Sequence, residues 1–264
     1  MSFKNKIVWI TGASSGIGEA LAIALKKEGA KLILSSRKRE KLYELKQKLK
    51  ANPIDTHILQ LDLEYKQNLP DKAEEAWKIY GKIDYLFNCG GISQRSYAED
   101  TTIATEERIF NTNYWGTVIL SKTLLPKMIA SGGGNLIVLS SLVGKFGTAK
   151  RSSYAASKHA LHGYFDSLRS EVYDKGIHIS IICPGYINTS ISNNALTGDG
   201  SLYHKLDDNQ ANGISAQDCA QEILKAVRQN KEEVFIAGKE RNAVLLKRFF
   251  PAYFSKMIRK RKIN

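Results

Sequence analysis

The amino-acid sequence predicts an α/β fold: a doubly wound parallel sheet with helices on both faces, in a single domain. Three observations predict it. Seven short runs rich in Val, Ile and Leu recur along the chain, helix-length amphipathic stretches lie between them, and 43% of the 264 residues are hydrophobic against 25% charged. Continuous apolar runs are the pattern of strands buried on both faces. Strands alternating with helices imply parallel pairing, because the helix is the crossover that returns the chain to the starting edge. A chain of this length buries a substantial core.

The runs, in order, are IVWI (7–10), LILS (32–35), ILQL (58–61), YLFN (85–88), LIVLS (136–140), ISIIC (179–183) and VFIA (234–237). Between the first two lies GEALAIALKKEG, with Ala20, Leu21, Ala24 and Leu25 on one helical face; after the second comes KREKLYELKQKLK, with Leu42, Leu45 and Leu49. The first run begins almost at Met1, so the expectation is a soluble, cytoplasmic protein whose N-terminus is built into the sheet. No run approaches the roughly 18 apolar residues of a membrane span. Cys89, Cys183 and Cys219 are odd in number and share no metal-ligand spacing, so reduced, buried thiols are expected and no metal. The formal charge of +13 is concentrated: residues 239–264 hold nine Lys or Arg against Glu240 alone. The body is only mildly basic, and no nucleic-acid-binding motif accompanies it.

Ligands of an open parallel sheet sit beyond the carboxyl ends of its strands, which directs attention to the loops. The first run leads into TGASSGIG (11–18) and then a helix. Gly12, Gly16 and Gly18 let the backbone approach a ligand, and Ser14, Ser15 and Ile17 lie between them where the helix start presents unpaired N–H groups. A pyrophosphate fits that arrangement. The second run ends SSRK. Where a carboxylate would hold a ribose 2′-hydroxyl, Ser36 is neutral and Arg37 and Lys38 follow, a donor set suited to a 2′-phosphate. Further on, Tyr154 and Lys158 stand four residues apart in YAASKHALHGYF and share a helix face. An ammonium near a phenol favours the phenolate, and such a tyrosine can exchange a proton with a carbonyl or alcohol oxygen.

The TGxxxGxG and YxxxK motifs together resemble those of the short-chain dehydrogenase/reductase family, and the resemblance covers about residues 5–238. It implies a Rossmann-type sheet of seven strands in the order 3-2-1-4-5-6-7. It also implies a homodimer or homotetramer formed through the helices bearing Asn113 and Tyr154. Ser141, thirteen positions before Tyr154, corresponds to the serine that bonds the substrate oxygen; its neighbour Ser140 lies at fourteen. Asn113, three places before Gly116, matches the asparagine that holds a water behind the lysine. Asp62 and Leu63 match the adenine contacts, and Arg37 occupies the position used by NADP-preferring members. Asn88 and Gly90 belong to the turn after the fourth strand, where Cys89 and Gly90 replace the middle of the usual Asn-Asn-Ala-Gly. Pro184, Gly185, Ile187 and Thr189 match the turn, backbone groups and hydroxyl that hold the nicotinamide end. The cofactor implied is NADP(H) in preference to NAD.

The resemblance therefore implies hydride transfer between nicotinamide and a carbonyl or secondary alcohol, with Tyr154 as general acid/base. The alternative is a catalytically idle NADP(H)-binding regulator. NCGGISQRS, KHAL and ICPG are more narrowly similar to the dehydrogenase/reductase member seven group, which implies a lipophilic substrate such as a retinoid, steroid or acyl ketone. Gln94 and Tyr186 are expected beside the substrate together with Ser141 and Tyr154, and Ser93, Val143 and Phe146 are further pocket positions. Arg95 is a further pocket candidate, read as exposed and structural in preference to an anion-binding role, and His159 and His162 read as packing. Residues 190–213 are polar and weakly patterned, as expected of a mobile lid. The extension 239–264 interleaves Leu246, Phe249, Phe250, Tyr253, Phe254, Met257 and Ile258 with cations. It reads either as a cover over the cleft or a partner subunit, or as a peripheral contact with an anionic membrane.

Overall fold

Five residues at the end of the first apolar run and their partners set the frame of the molecule. A computed structural model of the protein describes residues 2–50, 52, 54–205 and 207–260; Leu206 of the predicted lid and Arg261 and Lys262 of the basic tail lie outside them. Strand β1 (Ile7–Thr11) pairs in parallel with β2 (Lys31–Ser35) on one side and β4 (Tyr85–Asn88) on the other. Adding β3 (Thr56–Ile58), β5 (Gly134–Leu139), β6 (Ile177–Pro184) and a last strand gives seven strands in the order β3-β2-β1-β4-β5-β6-β9. That last strand, β9, spans Glu233–Ile236. The expected order holds, with β9 as the seventh strand.

Thr11 stands opposite Ser35 and Asn88, Asn88 opposite Val138, and Pro184 opposite Ile236. The carboxyl ends of all the central strands thus align along one edge, where the loops that follow them meet.

Alternate residues of each strand face opposite layers. Trp9, Ile33, Leu86, Leu136 and Val138 pack with helices α3 (Leu69–Tyr80), α5 (Gly116–Ala130) and α6 (Ser152–Glu171). Val8, Ile10, Leu32, Leu34, Phe87 and Ile182 pack with α1 (Gly16–Lys27), α2 (Arg39–Lys48) and α8 (Ala216–Arg228). The leucines expected on α2 do this: Leu42 and Leu45 are buried and Leu49 packs beside them.

The third strand lies about two residues earlier than its apolar run predicts. Thr56, His57 and Ile58 pair with Leu32, Ile33 and Leu34. Leu59 and Leu61 then donate backbone hydrogen bonds to Leu34 and Ser36 where β2 runs out. Their burial extends the apolar run past the ladder, whose first two members, Thr56 and His57, carry polar side chains at a sheet edge.

Helix α4 (Ile103–Phe110) runs into α5 through one π-helical turn, Asn111–Trp115. The extra residue in that turn rotates Asn113 into the interior, where it is fully buried.

The predicted lid is anchored rather than free-standing. Leu196 exchanges backbone hydrogen bonds with Ser93 and Arg95, and Ser192, Ala195 and Leu196 are buried. At its two ends β7 (Ile187–Asn188) pairs with β8 (Ile214–Ser215), and within it a short helix α7 spans Asp208–Ala211.

The tail forms α9 (Asn242–Phe249) and α10 (Pro251–Arg259), with Pro251 at the first turn of the second helix, as its missing N–H requires. Phe254 is buried with its ring 5.4 Å from that of Phe146. No helix among the described residues is long and apolar enough to cross a membrane.

Candidate active site

A cavity of about 520 Å³ lies along the carboxyl edge of the sheet. At one end it is bounded by Gly12, Ser14, Ser15, Gly16, Ile17 and Gly18. Gly12 adopts φ +65°, and a Cβ there would sit 2.8 Å from the Gly90 Cα. Only glycine lets these two loops touch. A side chain on Gly90 would in turn strike Leu63 Cδ1. The glycine at position 90 is thereby accounted for: Leu63 occupies the space that an alanine methyl would need. Ser15, ahead of α1, makes no side-chain cap, so the first amides of the helix are left for a ligand.

Ser36, Arg37 and Lys38 line the same end, and Asp62 and Leu63 border it. Lys41 joins them on the wall; Arg39 does not, and bonds the exposed Tyr43. Farther along, Pro184, Gly185, Ile187 and Thr189 form one side, together with Tyr186.

Tyr154, Lys158 and Ser141 line the other end of the cavity. Helix α6 places Tyr154 and Lys158 on one face, both about 95% buried. The Lys158 Nζ is 5.9 Å from the Tyr154 ring centre and donates to the Leu139 carbonyl at 2.7 Å. Ser141 Oγ donates to the Pro184 carbonyl at 3.4 Å and lies beside the Tyr154 phenol, whose phenolate it favours. Ser140 turns the other way, to the Lys158 carbonyl (3.2 Å) and His162 Nε2 (3.0 Å), so geometry selects Ser141 as the spacing does.

The electrostatics differ from the expectation. Burial pushes the Tyr154 phenol above its ordinary value, while Arg151, the Ser141 hydroxyl and Arg95 pull the other way. The lysine is not what offsets it. Burial likewise lowers Lys158 from 10.5 to about 8, because its ammonium has lost water and gained one carbonyl.

Three expected site residues do not line the cavity. Gln94 is fully buried and accepts hydrogen bonds from the Ser153 and Tyr154 amides at 2.9 and 3.3 Å. Its amide nitrogen donates to Thr101 at 3.0 Å. It therefore caps α6 and holds Tyr154 from behind, and is no substrate contact. Asn88 is in the turn as expected, but its side chain donates to Ser121 in the core at 3.1 Å. Asn113 clamps the Ile92 amide (2.8 Å) and carbonyl (2.9 Å) and bonds Ser157 at 3.0 Å. It ties the loop after β4 to α6. Arg95 also departs from its reading: it is buried and paired with Asp207.

Of the wall residues that sequence reasoning missed, Arg151 and Glu240 bear most on the site. Arg151 lies one turn before Tyr154, a spacing that could have drawn attention to it. Glu240, from the tail, accepts the Tyr186 amide at 3.2 Å and borders the cavity; no local pattern announces it.

The model of the short chain dehydrogenase family matches residues 6–199. The chain belongs to the short-chain dehydrogenase/reductase family. Among curated proteins, it is 42% identical over 263 residues to "Dehydrogenase/reductase SDR family protein 7-like" of Anopheles gambiae, covering 97% of this chain and 83% of that protein. It is 38% identical over 267 residues to "Dehydrogenase/reductase SDR family member 7B" of Danio rerio, covering 98% and 86%. Two solved structures share the fold. A short-chain dehydrogenase/reductase from Burkholderia phymatum in complex with NAD superposes with a TM-score of 0.85 at 19% identity, covering 100% of this chain and 98% of that one. A short-chain dehydrogenase from Burkholderia cenocepacia J2315 in complex with NADP gives 0.80 at 19% identity, covering 98% and 99%. This short-chain dehydrogenase/reductase is thus an oxidoreductase of the nicotinamide-dependent kind. The Gly12–Gly90 contact and the uncapped start of α1 suit the pyrophosphate of such a cofactor.

Proposed function

We propose that this short-chain dehydrogenase/reductase uses NADP(H) to reduce the carbonyl of a lipophilic substrate, or to oxidise the matching secondary alcohol. One observation carries the reading: Ser141 and Tyr154 meet at one end of a cavity whose other end is the glycine cradle. The cofactor supplies or accepts the hydride. Ser141 positions the substrate oxygen, and Tyr154 gives it a proton in reduction and takes one in oxidation. Lys158 holds the ribose, and Asn113 fixes the loop against which that lysine lies. The apolar stretch formed by Leu142, Val143 and Phe146 favours a lipophilic chain beside the reacting carbon. The protein acts in the cytoplasm as a homodimer or homotetramer joined through α5 and α6. The test is a panel of retinals, ketosteroids, aromatic aldehydes and acyl ketones scored by consumption of NADPH and NADH; absence of turnover on all of them sinks the reading.

The preference for NADP(H) rests on Ser36, Arg37 and Lys38 at the adenosine end, with no carboxylate following β2. Arg37→Glu is expected to invert the ratio of kcat/KM for NADPH over NADH, by roughly 100-fold for the loss of a charge-assisted pair and the gain of a repulsion. An unchanged ratio removes Arg37 from the role.

The tail supports a peripheral membrane contact. Phe249, Phe250 and Tyr253 are each more than 60% exposed beside Arg248, Lys256 and Lys260, while Phe254 is anchored to Phe146. Exposed aromatics with cations around them suit an anionic bilayer surface. The full chain is expected to sediment with vesicles containing phosphatidylserine and not with neutral ones, and the variant carrying Phe249→Ser and Phe250→Ser is expected to stay in the supernatant. Equal sedimentation of the two proteins removes the contact.

A further inference from the structure

The cavity wall beside Tyr154 carries an unbalanced buried cation. Arg95 and Arg151 both reach Asp207 Oδ2, each through Nη2 at 3.3 Å. Their side chains are 1% and 12% exposed, and that of Asp207 is 5% exposed. The other carboxylate oxygen is already taken by the Asn209 amide at 3.0 Å. Two guanidinium groups therefore share one carboxylate among the described side chains, away from water. The Nε–H groups of both arginines are buried without an acceptor. Burial and the neighbouring Arg151 together lower Arg95 to about 10, which reports the same surplus of positive charge.

Buried charge without its full complement of partners is destabilising and persists where something completes it. The position of this cluster says what that is. Arg151 borders the same cavity as Tyr154 and Ser141, is the N-cap residue of α6 three positions before the tyrosine, and pulls its phenol toward the phenolate. Thr148 and Gln210 line that cavity as well, and each has a buried side-chain oxygen without a partner. Across from these polar groups, Val143, Phe146 and Leu196 offer an apolar wall.

We propose that the substrate is an anionic amphiphile: its carboxylate or phosphate is held by Arg151, with Arg95 and Asp207 behind it, a few bonds from the carbonyl that Tyr154 protonates. This deepens the reductase reading and rests on it. The fork of Arg151 suits either anion, and an uncharged ester would leave the buried positive charge uncompensated. Arg95 does not line this cavity and acts by positioning Asp207 and, through it, Arg151.

Matched pairs test this with the full-length protein and NADPH: 4-oxodecanoate against its methyl ester, and 1-hydroxydecan-2-one phosphate against the free hydroxyketone. The anionic member of at least one pair is expected to have kcat/KM at least about tenfold above its neutral partner, and which pair shows it identifies the anion. Arg151→Met is expected to bring that ratio near one, and Arg151→Lys to keep part of it. Ratios near one in the wild type overturn the anion site while leaving the reductase reading intact. A ratio that survives Arg151→Met also overturns it, since a purely structural tie would lower both members together. Calorimetric binding of the same anions to the Tyr154→Phe protein supplies a readout independent of turnover. Binding that disappears on adding Arg151→Met supports the anion site even where no compound is reduced, an outcome that would sink the reductase reading alone. No binding and no turnover overturns both.

Discussion

Tyr154→Phe is expected to bind NADPH as the wild type does and to lose about 10²- to 10⁴-fold in kcat, the contribution of a positioned general acid. The ring stays where α6 and the Gln94 cap place it, because the substitution removes one oxygen from a side chain that is already buried. Only the proton donor is lost. Fluorescence titration of NADPH and steady-state turnover separate the two quantities. The pH dependence has a definite sign: a phenol raised by burial stays protonated through the neutral range, so carbonyl reduction is supplied with its acid there. Alcohol oxidation needs the phenolate and should therefore accelerate as pH rises. Wild-type turnover by the Phe variant would remove Tyr154 from the chemistry.

Lys158→Met should do two opposite things, destroying turnover while making the cofactor-free protein more stable. With its pKa lowered from 10.5 to about 8, the buried ammonium costs the fold about 3 kcal/mol wherever it is charged in both folded and unfolded chains, that is, below pH 8. Between pH 8 and 10.5 the folded protein has released that proton and the unfolded chain still holds it, so the penalty fades as pH rises. The melting advantage of Lys158→Met over the wild type is thus largest below pH 8 and shrinks toward 10.5. Taking the difference between the two proteins matters. The thiols of Cys183 and Cys219, both raised to about 12 by burial, disfavour the fold at high pH in either one. A variant less stable than the wild type at pH 7 would show that the bond to Leu139 outweighs the desolvation of the ammonium. Such a trade of stability for function is common where a charge must be kept dry for a ligand.

The residues that were legible along the chain share a physical property: their relation is local. Tyr154 and Lys158 are four apart on one helix, Gly12 to Gly18 form one turn, and Ser141 lies two residues beyond the end of β5 and thirteen before Tyr154. The residues misread have partners far away in sequence. Gln94 reads as a pocket residue until the Ser153 and Tyr154 amides, 59 and 60 positions on, claim its oxygen. Arg95 reads as exposed because its counter-charge, Asp207, lies 112 positions away. Gly90 reads as a departure because its compensation, Leu63, comes from another loop.

Apolar periodicity and glycine spacing were enough for a parallel α/β sheet, the cradle and the helix carrying Tyr154 and Lys158, since each follows from relations between near neighbours, whereas the strand order and the class of reaction came from the resemblance to the family. Packing alone decided the rest: that Asn113 faces inward through a π-helical turn, that burial rather than the lysine sets the Tyr154 phenol, and that two arginines share one carboxylate at the cavity. Those outcomes depend on which groups lose water together, and desolvation is a property of the folded whole.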